Sequence, residues 1–398
     1  MSAIPGAKRS AQGLIIPLSD GNFFHLTNIH HSGALEGLTP DEHFYLAFCA
    51  KKEILRLREI RNSHDYLLRL RANAIVDSPR LIRVMTARKS EYERSSRPWS
   101  LTHHYHSKDH YYKSYIDQLR RENAKIVKKT PSGLMFTREV NAMCIRSFMG
   151  DVVVASECLE YFYYFMTIAF YGESLGVEIA DRLDALLIAV RLILGSEALD
   201  FDIDPRGNLN QELERKVNEL VGNQMKFTFG HEYAHLLCGH LAGPDMLVKL
   251  HSYDGGADSQ QSIKIYSHEL EYQADLYSLK NVEHNSNTFA SVAQGALSML
   301  IYLHFIDLVS DFCKLPKFSV SLTHPTPKDR IENLHRKLGR KSPYSDDLLI
   351  SAFDTAAQLA HIFERKVLNS SREDLLTFYG SIYLTNYTEK IKRDRYDF

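Results

Sequence analysis

Cysteine is scarce in this chain. The 398 residues contain five, Cys49, Cys144, Cys158, Cys238 and Cys313, scattered and odd in number. That argues against a disulfide framework and for a reducing compartment. Net charge is nearly absent as well. With 48 Lys and Arg against 49 Asp and Glu the formal balance is -1, so no global attraction to nucleic acid or to a membrane surface is implied. There is no Gly-rich phosphate loop and no Cys-pair zinc finger, which counts against an NTPase or a nucleic-acid module. Long apolar runs are missing too. Tyr161 to Tyr171 is short, and Ala296 to Phe312 is interrupted by His304, Asp307 and Asp311. Both fall short of the ~20 apolar residues that span a bilayer and read as buried helices. Gly13 to Pro17 is too short for the apolar region of a signal peptide. The expectation is a cytoplasmic protein without a membrane anchor.

What the chain does have is histidine, 19 residues of it. One group stands out: His231-Glu232-Tyr233-Ala234-His235, followed by Gly239-His240. Two histidines four apart on a helix project from one face. Their imidazoles can share one zinc ion, and the glutamate beside the first can reach a water on that ion and take its proton. The pattern points to a metal-dependent hydrolase. A histidine-rich chain produces such a pentapeptide by chance often enough that its context must carry weight. Apolar Leu213, Val217, Leu220 and Val221 recur at helical spacing, and Phe227, Phe229, Tyr233, Leu236 and Leu237 continue an apolar surface through the motif. Gln211 to His240 therefore reads as one helix, or two broken near Gly222, ending at Gly239 and Gly243-Pro244. Cys238 reads as a small buried residue.

A catalytic zinc needs a third protein ligand. Ser267 to Leu276 offers Glu271 and Asp275, four apart on one helical face, with Ser267 as N-cap. Glu271 can ligate, while Asp275 can accept a hydrogen bond from the far nitrogen of a ligand histidine. His268 and Glu269 are competing ligand candidates. Further on, Thr323-His324-Pro325-Thr326-Pro327 forces an extended turn before a helix carrying Arg330, with Thr326 as its N-cap. His324 and Arg330 both bring hydrogen-bond donors.

Together these blocks resemble the gluzincin family of CAAX prenyl endopeptidases and bacterial heat-shock membrane metallopeptidases. That family carries H-E-x-x-H with a later G-H, then E-x-x-A-D, then T-H-P with an arginine and an apolar helix. The matches are His231 to His235 with Gly239-His240, Glu271 to Asp275, and Thr323-His324-Pro325 with Arg330-Ile331, in the same order over roughly a third of the chain. The resemblance implies a mainly α (α+β) fold: a zincin-like helical metallopeptidase core with a small β-sheet. It implies Zn2+ held by His231, His235 and Glu271, with Glu232 as general base and Asp275 orienting a ligand. His324 would sit at the substrate carbonyl and Arg330 would support the site. Members are often integral membrane proteins and this chain has no convincing transmembrane helix, so a prenyl-protein substrate does not carry over. The expected substrate is a restricted protein or peptide. The rival readings are another metal hydrolase such as an amidase, or an interaction module with structural zinc. A complete Glu232 argues against the second, because a structural site needs no base.

The organisation expected is an N-terminal region (1–150) that regulates or selects substrate, a metallopeptidase core (151–340) and a helical tail (341–398). The first 30 residues look irregular or strand-like. Thr39 and Pro40 open a helix that runs through much of Glu42 to Asn73. Lys51 to Arg97 holds 13 Lys or Arg against 6 Asp or Glu, either a solvated basic face or a dock for an acidic regulatory partner. Ser95 to Tyr115, with Trp99 and His103, His104, His106 and His110, could hold a metal because histidine clusters bind zinc, but it reads as a loop, since no carboxylate or cysteine pattern completes a site. Lys125 to Val140 reads as a hairpin, Val152 to Val154 as a strand, Leu183 to Leu194 and Asp354 to Val367 as helices. Asp200 to Gly207 and Asp254 to Gly256 read as turns. Gln261 to Tyr266 reads as an edge strand on which a peptide could pair.

Overall fold

The structure is a computed structural model that describes residues 8–10, 13–27, 37–95, 98–241, 268–283, 287–315, 325–371 and 375–385. Helices dominate, with two small three-stranded sheets, so the mainly α architecture expected from sequence is what forms. The strand-like start is an antiparallel meander of β1 (Lys8–Ser10), β2 (Gly13–Pro17) and β3 (Phe23–Thr27).

Pro40 supplies the preset φ that starts α1 (Pro40–His43), while Glu42 accepts a hydrogen bond from the Thr39 amide. The long helix expected after it is divided into α2 (Lys51–Arg58), α3 (Ser63–Val76) and α4 (Pro79–Arg94). Asn62 is one reason: its side chain accepts from the Asp65 amide at 3.0 Å and caps α3, which stops α2 from running on. Much of the basic stretch is engaged within the protein. Arg56 pairs with Asp65, Arg58 with Glu42 and Arg61 with Glu59. Arg88 is buried against Glu157 and Asp202, and buried Arg71 donates to the Leu134 carbonyl.

The histidine-rich segment is not a loop. It forms α5 (Leu101–His106) and α6 (His110–Ile116). The carboxylate of Glu53 accepts from the amides of Leu101 and Thr102 and so caps α5 from about 50 residues away in sequence, a contact no local pattern reveals. Among the described residues these histidines belong to no group able to hold a metal. His104 stacks near Trp99, and burial pushes its pKa down to about 4.

The hairpin expected over 125–140 is also absent. α7 (Arg121–Val127) leads into β4 (Ser132–Met135), which pairs parallel with β6 (Gly150–Ser156). The hairpin lies one step later, where β5 (Ala142–Ser147) turns back onto β6 to give the order β4-β6-β5. Val152 and Val154 pack on α3 through Tyr66, Leu67 and Leu70, while Val153, Ala155 and Cys144 join the main core on the opposite face. This alternation is the period of two expected of a strand.

After β6 come α8 (Glu157–Tyr171), α9 (Ile179–Leu194), α10 (Gln211–Leu237), α11 (His268–Lys280), α12 (Asn287–Cys313), α13 (Pro327–Leu338) and α14 (Asp346–Leu368). α10 is central and packs against α6, α8, α11, α12, β5 and β6. α12 is longer than its apolar core suggested. By length and composition it could cross a membrane, yet 61% of its most apolar window is buried inside the protein. One core cluster runs from Leu46 to Leu384 and joins all three segments expected from sequence; the boundary placed at 150 falls inside β6. The segment 375–385 is docked, with Arg191 donating to the Gly380 carbonyl and the Leu384 amide donating to Arg206.

The crossing of α10 and α12 depends on Gly295. A Cβ there would land on the backbone of Asn223 and Gln224, which cannot swing aside. Gly295→Ala is expected to destabilise the protein by about 1–3 kcal/mol, the usual cost of overpacking, despite alanine's better helix propensity. A melting temperature equal to wild type would show that the helices separate freely.

Candidate metal centre

α10 starts at Asn210, whose side chain accepts from the Leu213 amide, with Glu212 and Glu214 placed favourably in its first turn. It does not break at Gly222. The cost of one helical glycine is about 1 kcal/mol, less than the packing of Val217, Val221 and Met225 on either side of it contributes. The helix ends at Gly239, whose φ of +72° suits glycine. The Gly239 amide donates to Leu236 O (3.2 Å) and the His240 amide to His235 O (3.0 Å), a Schellman motif.

His231 and His235 sit on one buried face of the last turns of α10, and Glu271 comes from the first turn of α11. Tyr115 of α6 fastens the two helices together. Its hydroxyl donates to the Ser278 carbonyl of α11 at 2.8 Å. Its ring lies over Gly230 of α10, where a Cβ would approach to 2.7 Å. The sequence reading, which took this segment as a loop, missed Tyr115.

The three side chains converge, His231 facing Oε2 of Glu271 and His235 facing its Oε1. The two imidazole Nε2 atoms are 3.1 Å apart, and each lies 3.5 Å from an oxygen of Glu271. Ligands at ~2.0–2.2 Å from a tetrahedral zinc stand about 3.3 Å from one another. Two imidazoles and one carboxylate are also the donor set a catalytic zinc takes. The residues present therefore fit a divalent metal of this kind, and among the described residues this is the one group that does.

Asp275 lies against the side of His231 that faces away from Glu271 and His235. Its Oδ1 is 2.9 Å from His231 Nδ1. Arg330 of α13 donates to both of its oxygens, at 2.8 and 2.6 Å, and its guanidinium is 3.8 Å from Glu271. Burial works against ionisation of Asp275, but Arg330 and His231 together outweigh it and hold the carboxyl below its ordinary range. Burial likewise opposes charge on His231, which its hydrogen bonds to Asp275 and Glu271 overcome, so its pKa is raised. His235 is lowered, first by burial and then by the charge of His231.

Glu232 is half-buried on α10, and its charge is felt by Cys144 of β5 and by Arg330. His268 and Glu269 are exposed at the start of α11 and do not join the cluster. Cys238 is half-buried rather than buried and is also outside the cluster. Thr326 caps α13 with Pro327 at its first position, as expected. His324, Ser267, the turn at 254–256 and the strand at 261–266 lie outside the described residues. Among the described residues β5 pairs with β6 alone. Sequence reasoning gave no role to Gln273, whose Oε1 lies 2.8 Å from His240 Nε2, while His240 Nδ1 lies 2.9 Å from His235 Nδ1. No protein-family model, curated protein or solved structure matches the chain.

Proposed function

We propose that the chain is a zinc-dependent endopeptidase of gluzincin type acting on a restricted set of polypeptides. The observation that carries this is the convergence of His231, His235 and Glu271 on one point, with Glu232 next in sequence to the first of them. Zinc held there would polarise a scissile carbonyl and bring the pKa of a water molecule to near ~7. Glu232 takes the proton of the attacking water and passes it to the leaving amine. Arg330 and Asp275 keep His231 turned toward the metal. An interaction module with structural zinc is less well supported, because structural sites close with four protein ligands and the described residues supply three.

Purified protein is expected to carry close to one zinc per chain by elemental analysis, and chelation should stop cleavage. Cells expressing the active chain should show new protein N-termini that vanish when Glu232 is replaced. Zinc-loaded protein that yields no new N-termini, but hydrolyses small amides, would favour an amidase.

A further inference from the structure

The Gly239-His240 pair that follows the metal motif has a physical task. Gly239 in the left-handed region closes the Schellman motif and turns the chain back over the end of α10. The residue after it is thereby brought beside the residue five positions earlier, which is His235. The two rings meet edge to face, with centroids 5.0 Å apart and an interplanar angle of 72°. On its far side His240 Nε2 faces Gln273 Oε1 at 2.8 Å. Gln273 lies on α11, two residues from Glu271 in one direction and two from Asp275 in the other.

We propose that His240, held by Gln273, is the positioning residue for His235: it accepts the Nδ1–H of His235 and leaves the Nε2 lone pair of that ligand facing the metal. The inference rests on the metal reading above. A ligating imidazole must keep the proton on the nitrogen away from the metal, and a neighbour that accepts that proton fixes the tautomer. Asp275 does this for His231 as an obligate acceptor. An imidazole can do it for His235 only when its own proton sits on the other nitrogen. The Gln273 carbonyl oxygen supplies the acceptor that keeps that proton on His240 Nε2. The two ligands are thus oriented by different chemistry, a carboxylate for one and a neutral imidazole–amide relay for the other. The helix-terminating glycine and the site are one device, since without the turn at Gly239 the imidazole would not reach back.

The experiment measures zinc affinity by chelator competition on the full chain, so its readout does not depend on turnover. His240→Ala should weaken binding about 10–100-fold, the usual cost of losing such a partner. His240→Asn places an amide oxygen where Nδ1 was and should recover most of that loss. Gln273→Glu, an obligate acceptor, should bind at least as tightly as wild type. Cobalt-substituted His240→Ala should also show altered d–d absorption. If His240→Ala binds zinc as tightly as wild type, the inference fails while the metal reading stands. If His240→Asn is as weak as His240→Ala, ring packing is responsible and the inference fails. If His240→Ala does not fold, His240→Asn and Gln273→Glu decide, and a tenfold loss in both would overturn it. Wild-type protein that binds no zinc overturns the metal reading and this inference with it.

Discussion

Glu232→Gln is expected to lower peptide hydrolysis by about 10²–10⁴-fold, the range that a well-placed general base supplies. Zinc content should not change, because Glu232 is not among the three ligands. The substitution keeps shape and hydrogen-bonding capacity but cannot accept a proton. The effect should fall on turnover, with substrate affinity nearly constant, since proton transfer is made only on the way to the transition state. Single-turnover rates on a confirmed substrate, together with zinc analysis of the same preparation, provide the check. Wild-type turnover in the variant would remove Glu232 as the base; loss of zinc along with activity would instead make it part of the site's framework.

Arg330→Leu should have the largest effect on stability. Arg330 is buried, makes a two-pronged bond to buried Asp275 and lies close to buried Glu271. Its removal leaves two carboxylates in the interior with one cation fewer. Stranding a buried charge in this way costs about 3–5 kcal/mol. Zinc affinity should fall as well, because Asp275 then loses its hold on His231. Arg330→Lys keeps the charge but loses the forked geometry, and should fall between the two. The double variant Arg330→Leu with Asp275→Leu should lose less than the sum of the single changes, since the lone charge is gone. Thermal melts of the metal-stripped chain isolate this contribution, and an unchanged melting temperature for Arg330→Leu would show that the interior ion pair is not needed.

The parts of the site that sequence revealed are those where chemistry and helical spacing coincide. His231 with His235, and Glu271 with Asp275, are four apart, so their facing is dictated before any tertiary contact exists. Arg330 is different: its segment by itself reads as a loop and an amphipathic helix, and only the family resemblance implied a place for it in the site. What escaped notice depends on partners distant in sequence. Tyr115 sits in a polar, histidine-rich stretch with no apolar period, and its meaning comes from Gly230 and Ser278. β4 pairs in parallel across a connection that leaves no turn signature. A count of basic residues between 51 and 97 could not show that Arg71 and Arg88 are buried. Gln273 carries no motif of its own, and only the folded end of α10 gives it a neighbour.

The stacking of Tyr115 between α10 and α11 bears on how the protein is made. The cluster draws on residues from Tyr115 to Arg330, and the histidine pair on α10 precedes Arg330 by nearly a hundred positions. At about 5–20 residues per second, a ribosome releases the histidine pair roughly 5–20 s before the arginine that completes its surroundings. A nascent chain therefore lacks the complete cluster for most of its synthesis. A polypeptide cut short before α13, or one missing the first half, would retain the motif without the architecture that aims it.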